Sequence, residues 1–284
     1  LVEKPAMFDK KEAELRLYLA LGRQILNTDD LHFGYWTDDL EVNIPNLPRA
    51  QENHSNFIIS HIPDGTKTIL DVGCGAGRMA SRLWGLGYDV HGVSPSAFLA
   101  DEARQVVGDD FLVFESRFED LRTDNRYDLI LFSESFQYVK MEKALENSLT
   151  LLNDSGHLLI CDCFQKDTEG KSPLKAGPRL SRFYEMISQA LFELVEDIDI
   201  TSETAPTADL TDDIYRNIFR PVWEIVFERL RSTHPWLLKF LKCKYRKKIE
   251  KMEWRYFSGN RDGENFRKYR SYRLMLLKKT APRA

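Results

Sequence analysis

The chain has 284 residues, 43% of them hydrophobic and 30% charged, which excludes a disordered chain or a tandem array and leaves one ordinary or one elaborated globular domain. No apolar run reaches the roughly 18 residues of a membrane-spanning helix. The first thirty residues are charged from Glu3 onward without a secretory-type apolar stretch, so a cytoplasmic protein is expected. Four cysteines, Cys74, Cys161, Cys163 and Cys243, follow neither a disulfide-scaffold nor a zinc spacing, and no metal is expected. Charge is uneven: residues 231–284 carry 17 Lys/Arg against 4 Asp/Glu, although the whole chain is −4. A basic end of this kind invites an anionic partner.

In chain order, helical spacing runs over about 8–30, where Leu15, Tyr18, Leu19 and Ile25 can share a face. An aromatic loop, His32 to Trp36, and a second helix over 49–62 follow, ending at the Pro63-Asp64-Gly65 turn. From Thr66 short apolar strands alternate with helices. Strands are predicted at 68–72, 89–93, 111–114, 127–132 and 157–161, with helices at 77–86, 97–106 and 141–152 between them. Near-continuous apolar strands separated by helices indicate a parallel sheet covered on both faces. A helix near 179–194, a strand at 194–201, a mostly helical stretch from about 209 to 266 and a last strand at 269–277 complete the prediction.

The first strand runs into Asp71-Val72-Gly73-Cys74-Gly75-Ala76-Gly77, which opens a helix. Glycines let the backbone turn tightly and approach a ligand, and the helix behind them offers free N–H groups. Strand–turn–helix context is what gives a glycine-rich turn meaning. The dinucleotide pattern is not met, because Arg78 stands where it needs glycine and Ser94 where it needs an acid; the phosphate-loop pattern is absent as well. The turn resembles the first motif of the class I S-adenosylmethionine-dependent methyltransferases. Residues 128–139 are similar to that family's fourth-strand motif, Leu151 to Leu158 to its turn before the fifth strand, and Arg117 to Leu121 to its adenine loop. The entry region, His32 to Trp36 with Ala50-Gln51, is similar to the small-molecule branch, which includes tocopherol, sterol and phosphoethanolamine methyltransferases and cyclopropane fatty acid synthases.

The resemblance implies an α/β fold: a Rossmann-like, doubly wound, mostly parallel seven-stranded sheet with N-terminal helices and a helical lid inserted before the last strand. The expected division is an N-terminal helical cap (1–65), a cofactor-binding core (66–201), a lid (202–266) and a final strand with a basic tail (267–284). The implied cofactor is S-adenosyl-L-methionine, leaving as S-adenosyl-L-homocysteine. Carried over by motif, Asp71 holds the methionine amino group, Gly73, Cys74, Gly75 and Gly77 shape the floor, and Ser94 lies beside the ribose. Phe118 and Glu119 frame the adenine, and Ser133 offers backbone near the methionine. Tyr35 and Trp36 are expected to line the cofactor mouth and Gln51 to bond the cofactor. His32, Glu134 and Tyr138 are the candidate catalytic residues.

Late in the chain Tyr215, Phe219, Trp223 and Phe227 recur every fourth residue, which places them on one helix face. With Trp36 and Tyr256 they form a candidate apolar acceptor pocket. Leu237, Leu238, Leu241, Tyr245 and Ile249 make a second stripe among six Lys/Arg between 239 and 248, the pattern of a helix that lies on an anionic membrane. The expected function is therefore methylation of a small molecule with an apolar, lipid-like or anionic acceptor. Alternatives are a cofactor-binding protein without turnover, or an RNA methyltransferase using the basic C-terminal region, although no RNA-binding module is recognisable.

Overall fold

The computed structural model describes residues 10–170, 172–174 and 177–281. The expected helix start at residue 8 and the end of the basic tail fall outside them. Helix α1 (Lys10–Leu21) passes into a π-helical turn, Gly22–Leu26, closed by Asn27 in the left-handed region at φ 52°. Helix α2 (Leu47–Ile59) follows the aromatic loop. The alternating part comprises β1 (Thr68–Val72), α3 (Arg78–Gly85), β2 (Asp89–Val93), α4 (Ala97–Val107), β3 (Val113–Phe114), β4 (Tyr127–Ser133), α5 (Met141–Leu151) and β5 (Leu152–Gln165). Then come α6 (Leu180–Gln189), β6 (Phe192–Asp199), four helices α7 (Thr201–Ile214), α8 (Arg220–Thr233), α9 (Pro235–Tyr256) and α10 (Gly263–Tyr269), and β7 (Arg270–Lys279).

The seven strands form one sheet in the order β3-β2-β1-β4-β5-β7-β6. Strands β1 to β5 are parallel, and β7 runs antiparallel to both neighbours. Successive residues of a strand point to opposite faces. Ile69, Leu129, Leu131 and Leu159 accordingly pack on one side with α3 and α4, and Leu70, Ile130, Phe132 and Leu158 on the other with α5 and α6. Each such side chain contributes roughly 1.5–3 kcal/mol by leaving water. Strand order reverses between β1 and β4, so a crevice opens there at the carboxyl ends of the strands.

The structure moves several predicted boundaries. Only Val113 and Phe114 pair as β3. Strand β5 starts five residues earlier than its apolar run, at Leu152; the turn-forming stretch Asn153 to Gly156 is an irregularity beside β4, whose register shifts between Tyr127 and Leu129. Helix α6 stops at Gln189 and β6 already begins at Phe192. That strand forms the sheet edge, and Glu193, Glu196, Asp197 and Asp199 give it the charge that discourages edge-to-edge pairing. Helix returns at Thr201 rather than near 209.

Candidate active site

The glycine turn sits at the crevice. Gly73, Gly75 and Gly77 all have positive φ, but only one of them faces empty space. A Cβ on Gly73 would lie 2.5 Å from the Ser135 Cβ and one on Gly77 2.7 Å from the Ala103 Cα, whereas one on Gly75 would meet nothing within 4 Å. Gly73 and Gly77 thus permit close packing against the β4 loop and α4, and Gly75 leaves the floor of the crevice clear. Cys74 turns inward: it is buried, its Sγ lies over Gly92, and burial pushes its thiol pKa up.

Asp71 ends the run just before the turn. It is 2% exposed and its Oδ2 is sealed from solvent with no hydrogen-bond partner. Desolvation alone pushes its pKa up to about 7. A buried carboxylate oxygen without a donor is costly, so the site is shaped for a ligand that donates hydrogen bonds. At the end of β4 the Ser133 hydroxyl is buried and unpartnered too.

Ser94, after β2, is buried and donates to the Ser96 carbonyl at 3.2 Å. Glu12 of α1 reaches the start of α4, accepting from Ser96 Oγ and from the Phe98 N–H, each at 2.8 Å. Leu19 of α1 is buried with Ala76 and Leu99. Helix α1 therefore lies against the glycine turn and the start of α4.

On the other side of the crevice, a polar chain links four parts of the sequence. Glu134, directly after β4, takes φ 54°. Its Oε1 accepts from the Phe33 N–H at 2.5 Å and from the Tyr272 hydroxyl at 2.6 Å. The Tyr272 hydroxyl also lies 3.0 Å from His54 Nε2. Burial drives His54 well below its ordinary pKa, with His32 adding to the effect. The network then assigns His54 Nε2–H as donor to Tyr272 and Tyr272 as donor to Glu134. Desolvation raises the Glu134 pKa against the pull of His32 and its two donors. His32 is itself desolvated, but Asp30 and Glu134 outweigh that and raise its pKa; its Nδ1 meets the Phe33 carbonyl at 2.8 Å, and its Nε2 lies 3.5 Å from Asp30. Sequence reasoning missed Tyr272, His54 and Asp30.

Tyr138 stands at the mouth of this region. Its side chain is 80% exposed, yet its phenol pKa is pushed up to about 12 by desolvation and by Glu134, Asp162 and Tyr18. Among the helices before β7, Tyr215 packs at a tilt on Tyr256 at 4.9 Å and on Phe219 at 5.6 Å. Tyr215 to Phe219 form a π-helical turn, a feature frequent at functional sites. Trp223 is drawn away, packing on Phe227 at 4.3 Å and donating to Glu253 between α8 and α9.

Other predicted residues are engaged elsewhere. Trp36 is 5% exposed, packs with Leu47 and Ala50, and donates to Thr207. Tyr35 stacks on Phe57 at 5.0 Å. The Gln51 amide is fully taken up: it accepts from Thr28 and donates to the carbonyls of Asp30 and His32. Phe118 turns its ring into the core against Phe132, so its side chain is not free to frame a ligand. Glu119 is half-buried and accepts from the Lys140 N–H at 3.4 Å. Among the described residues no group of three His, Cys, Asp or Glu side chains is placed to hold a metal.

A family model described as a methyltransferase domain matches residues 43–199, more than half of the chain. The chain belongs to that family; it is a methyltransferase. The match spans the glycine turn, the β4 loop and β5. The methyltransferase is also similar in structure to geranyl diphosphate C-methyltransferase from Streptomyces coelicolor A3(2), solved with Mg2+, geranyl diphosphate and S-adenosyl-L-homocysteine: TM-score 0.67, 16% identity, covering 97% of this chain and 100% of that one. A putative sarcosine dimethylglycine methyltransferase from Galdieria sulphuraria gives TM-score 0.66 at 15% identity, covering 94% and 98%. The [4+2]-cyclase SpnF gives 0.64 at 16%, covering 96% and 98%. At such identities these likenesses establish the fold. No curated protein sequence matches the methyltransferase.

Proposed function

We propose that the methyltransferase moves a methyl group from S-adenosyl-L-methionine to a small-molecule acceptor held between the ends of β4 and β5 and the helical lid. One observation carries the cofactor reading: the sealed, unpartnered Oδ2 of Asp71 beside the open floor at Gly75. The ammonium of an amino acid supplies the donor that Asp71 lacks, and a bare floor admits the chain that follows it. Gly73 and Gly77 keep that floor in place, Ser133 offers its hydroxyl at the methionine end, and Ser94 lies toward the ribose. The Phe118 backbone and Glu119 border the adenine.

The sulfonium of the cofactor supplies an electrophilic methyl group, so the chemistry belongs largely to the cofactor. The chain's task is to place the acceptor atom in line and keep water out. Glu134 is the base. Its Oε1 is fixed by Phe33 and Tyr272, and its Oε2 makes no hydrogen bond to a described residue. Its raised pKa suits it to take a proton from an acceptor hydroxyl or carbon. Tyr138 forms a wall of the acceptor space, and His32, bonded through Nδ1 to the Phe33 carbonyl, sits beside the Phe33 N–H that fixes Glu134. Tyr215, Phe219 and Tyr256 give the lid wall an apolar character suited to a lipid-like acceptor.

The outer faces of α8 and α9 bear on localisation. Val222, Ile225 and Val226 of α8 and Trp236 and Phe240 of α9 are all at least half exposed, among Lys239, Lys244, Lys247 and Lys248. Aromatic and cationic residues interleaved on one surface suit peripheral contact with an anionic membrane. Co-sedimentation with phosphatidylglycerol vesicles, abolished by salt and absent with phosphatidylcholine alone, is the expected result; equal or no binding to both refutes the contact.

The catalytic reading is tested by incubating the chain with methyl-labelled cofactor and a small-molecule cell extract. Release of S-adenosylhomocysteine in step with a labelled product is expected. Binding without release would favour a cofactor-binding protein that has lost turnover, in keeping with a cyclase among proteins of this fold. Label entering RNA would favour the RNA alternative.

A further inference from the structure

A cavity of about 490 Å³ lies between the outward faces of α2 and α3, within the size range of small-ligand sites. Residue spacing puts it there. On α2, Ala50, Gln51, His54, Ser55 and Ile58 are buried, which leaves Arg49 and Glu52 on the other side. On α3, Met79, Ala80 and Leu83 are buried, which turns Arg78 and Arg82 outward. The loop after the π-helical turn closes the third side. Asn27 bends it with φ 52°. Gly22 lets it fold back, since a Cβ there would lie 2.8 Å from the Thr28 carbonyl oxygen. Gln51 pins it by accepting from Thr28 Oγ1 at 2.6 Å. No residue assigned above to the cofactor or the acceptor lines this cavity.

The charges around the cavity do not cancel. Four arginines and three acids line it. Arg23 is committed to Asp29 and to Glu102 of α4, each at 2.5 Å. Arg82 lies 3.6 Å from Asp30, which also faces His32. Arg49 and Arg78 remain, and neither makes a hydrogen bond or an ion pair with a described residue. Glu52 is the one acid of the lining in the same position. Two guanidinium groups thus stand against one carboxylate, a surplus of one positive charge. The side-chain amide of Asn27 is likewise without a hydrogen bond to a described residue.

We infer that this cavity binds a small polar molecule through an oxyanion, a carboxylate or a phosphate, which Arg49 of α2 and Arg78 of α3 grip from opposite walls. Guanidinium forks match two oxygens of either anion, and charge-assisted pairs of this kind are the strong ones. Asn27 adds a donor, and one negative charge cancels the surplus. Pro48 is the only apolar residue of the lining, so a lipid-like ligand finds little to bury there. Arg78 directly follows Gly77, which makes this a site of its own beside the cofactor turn. The inference goes beyond methyl transfer and stands without it.

The test titrates the full chain calorimetrically with inorganic phosphate and with citrate at constant ionic strength, with glycerol and tetramethylammonium as uncharged and cationic controls. Saturable binding of at least one anion, about tenfold or more tighter than either control, is expected. Comparing phosphate with citrate ranks the two anions. Arg49→Gln and Arg78→Gln are each expected to weaken anion binding about tenfold or more. Glu52→Gln is expected to strengthen it, because an opposing charge is removed. All three side chains are exposed, so these variants should fold, and melting curves check that they do. Absence of saturable anion binding, an anion affinity unchanged in Arg49→Gln, or weaker binding in Glu52→Gln overturns the inference. The titration is repeated with S-adenosylhomocysteine present. An effect of the anion on its affinity that levels off keeps the two sites separate. Affinity that falls without limit as anion is added marks direct competition and overturns the separate site. Failure of S-adenosylhomocysteine itself to bind would sink the cofactor reading instead, so the two failures are distinguishable.

Discussion

Asp71 pits binding against folding within one side chain. Its folded pKa of about 7 stands above the ordinary aspartate value because burial disfavours the charge. The cofactor-free protein therefore takes up a proton there on folding. Stability from this group is complete below about pH 4 and is lost as pH rises through about 7, by on the order of a few kcal/mol. Asp71→Asn is expected to raise the melting temperature of the free protein at pH 8 while weakening S-adenosylhomocysteine binding about tenfold or more. Melting curves with and without ligand check both halves. Glu134 is also raised, by desolvation. Turnover should rise with pH as it ionises, with the acid limb displaced above that of an ordinary glutamate. Glu134→Gln is expected to lower kcat by about 10²–10⁴-fold with cofactor affinity retained, and a pH–rate profile with an unchanged acid limb in that variant would exclude Glu134 as the base. Asp71 and Glu134 were legible in the sequence because Asp71 lies near the end of the first apolar strand, before the glycine turn, and Glu134 directly follows the fourth. Tyr272 was not: it lies 138 residues from Glu134, and only the pairing of β7 with β5 brings them together.

At the level of elements, the glycine turn separates two roles that look alike in sequence. Alanine at Gly75 meets no neighbour but must adopt φ 55°, at a cost of roughly 1–2 kcal/mol. Alanine at Gly77 would also press on the α4 backbone at 2.7 Å. Gly75→Ala is expected to fold with a modest loss of melting temperature and to lose cofactor affinity; Gly77→Ala is expected to lose more stability by forcing α3 off α4. Calorimetry and melting of the two variants side by side decide this, and a Gly75→Ala protein that binds the cofactor normally would refute the open-floor reading. The long strands and helices were legible from periodicity. Strand β3 was overread because only two of its apolar residues find a partner, and β5 was underread because turn-forming residues sit within an irregular but paired stretch. The fourfold aromatic spacing predicted one continuous face from Tyr215 to Phe227. The π-helical turn at Tyr215–Phe219 adds residues per turn, so the stripe divides, its first half toward Tyr256 and its second half into the α8–α9 contact.

Over the whole molecule, sheet order and lid make the crevice. Reversal between β1 and β4 opens it, α1 packs against the glycine turn on one side, and the helices between β6 and β7 stand over the other. The doubly wound sheet was visible in the alternation of strands and helices, and the methyl-donor fold in the resemblance of a few motifs. The proposed acceptor space was not, because it is drawn from the β4 loop and the helices before β7, segments far apart in the chain whose meeting no local pattern encodes. If the lid closes on the acceptor and not on the cofactor, the double variant Tyr215→Ala/Tyr256→Ala should raise the acceptor KM about tenfold and leave S-adenosylhomocysteine affinity unchanged. Calorimetric titration of the folded full-length chain with S-adenosylhomocysteine tests the central claim most directly. A saturable one-to-one heat that weakens in Asp71→Asn is predicted; no heat from a correctly folded sample, or binding indifferent to Asp71, would contradict it.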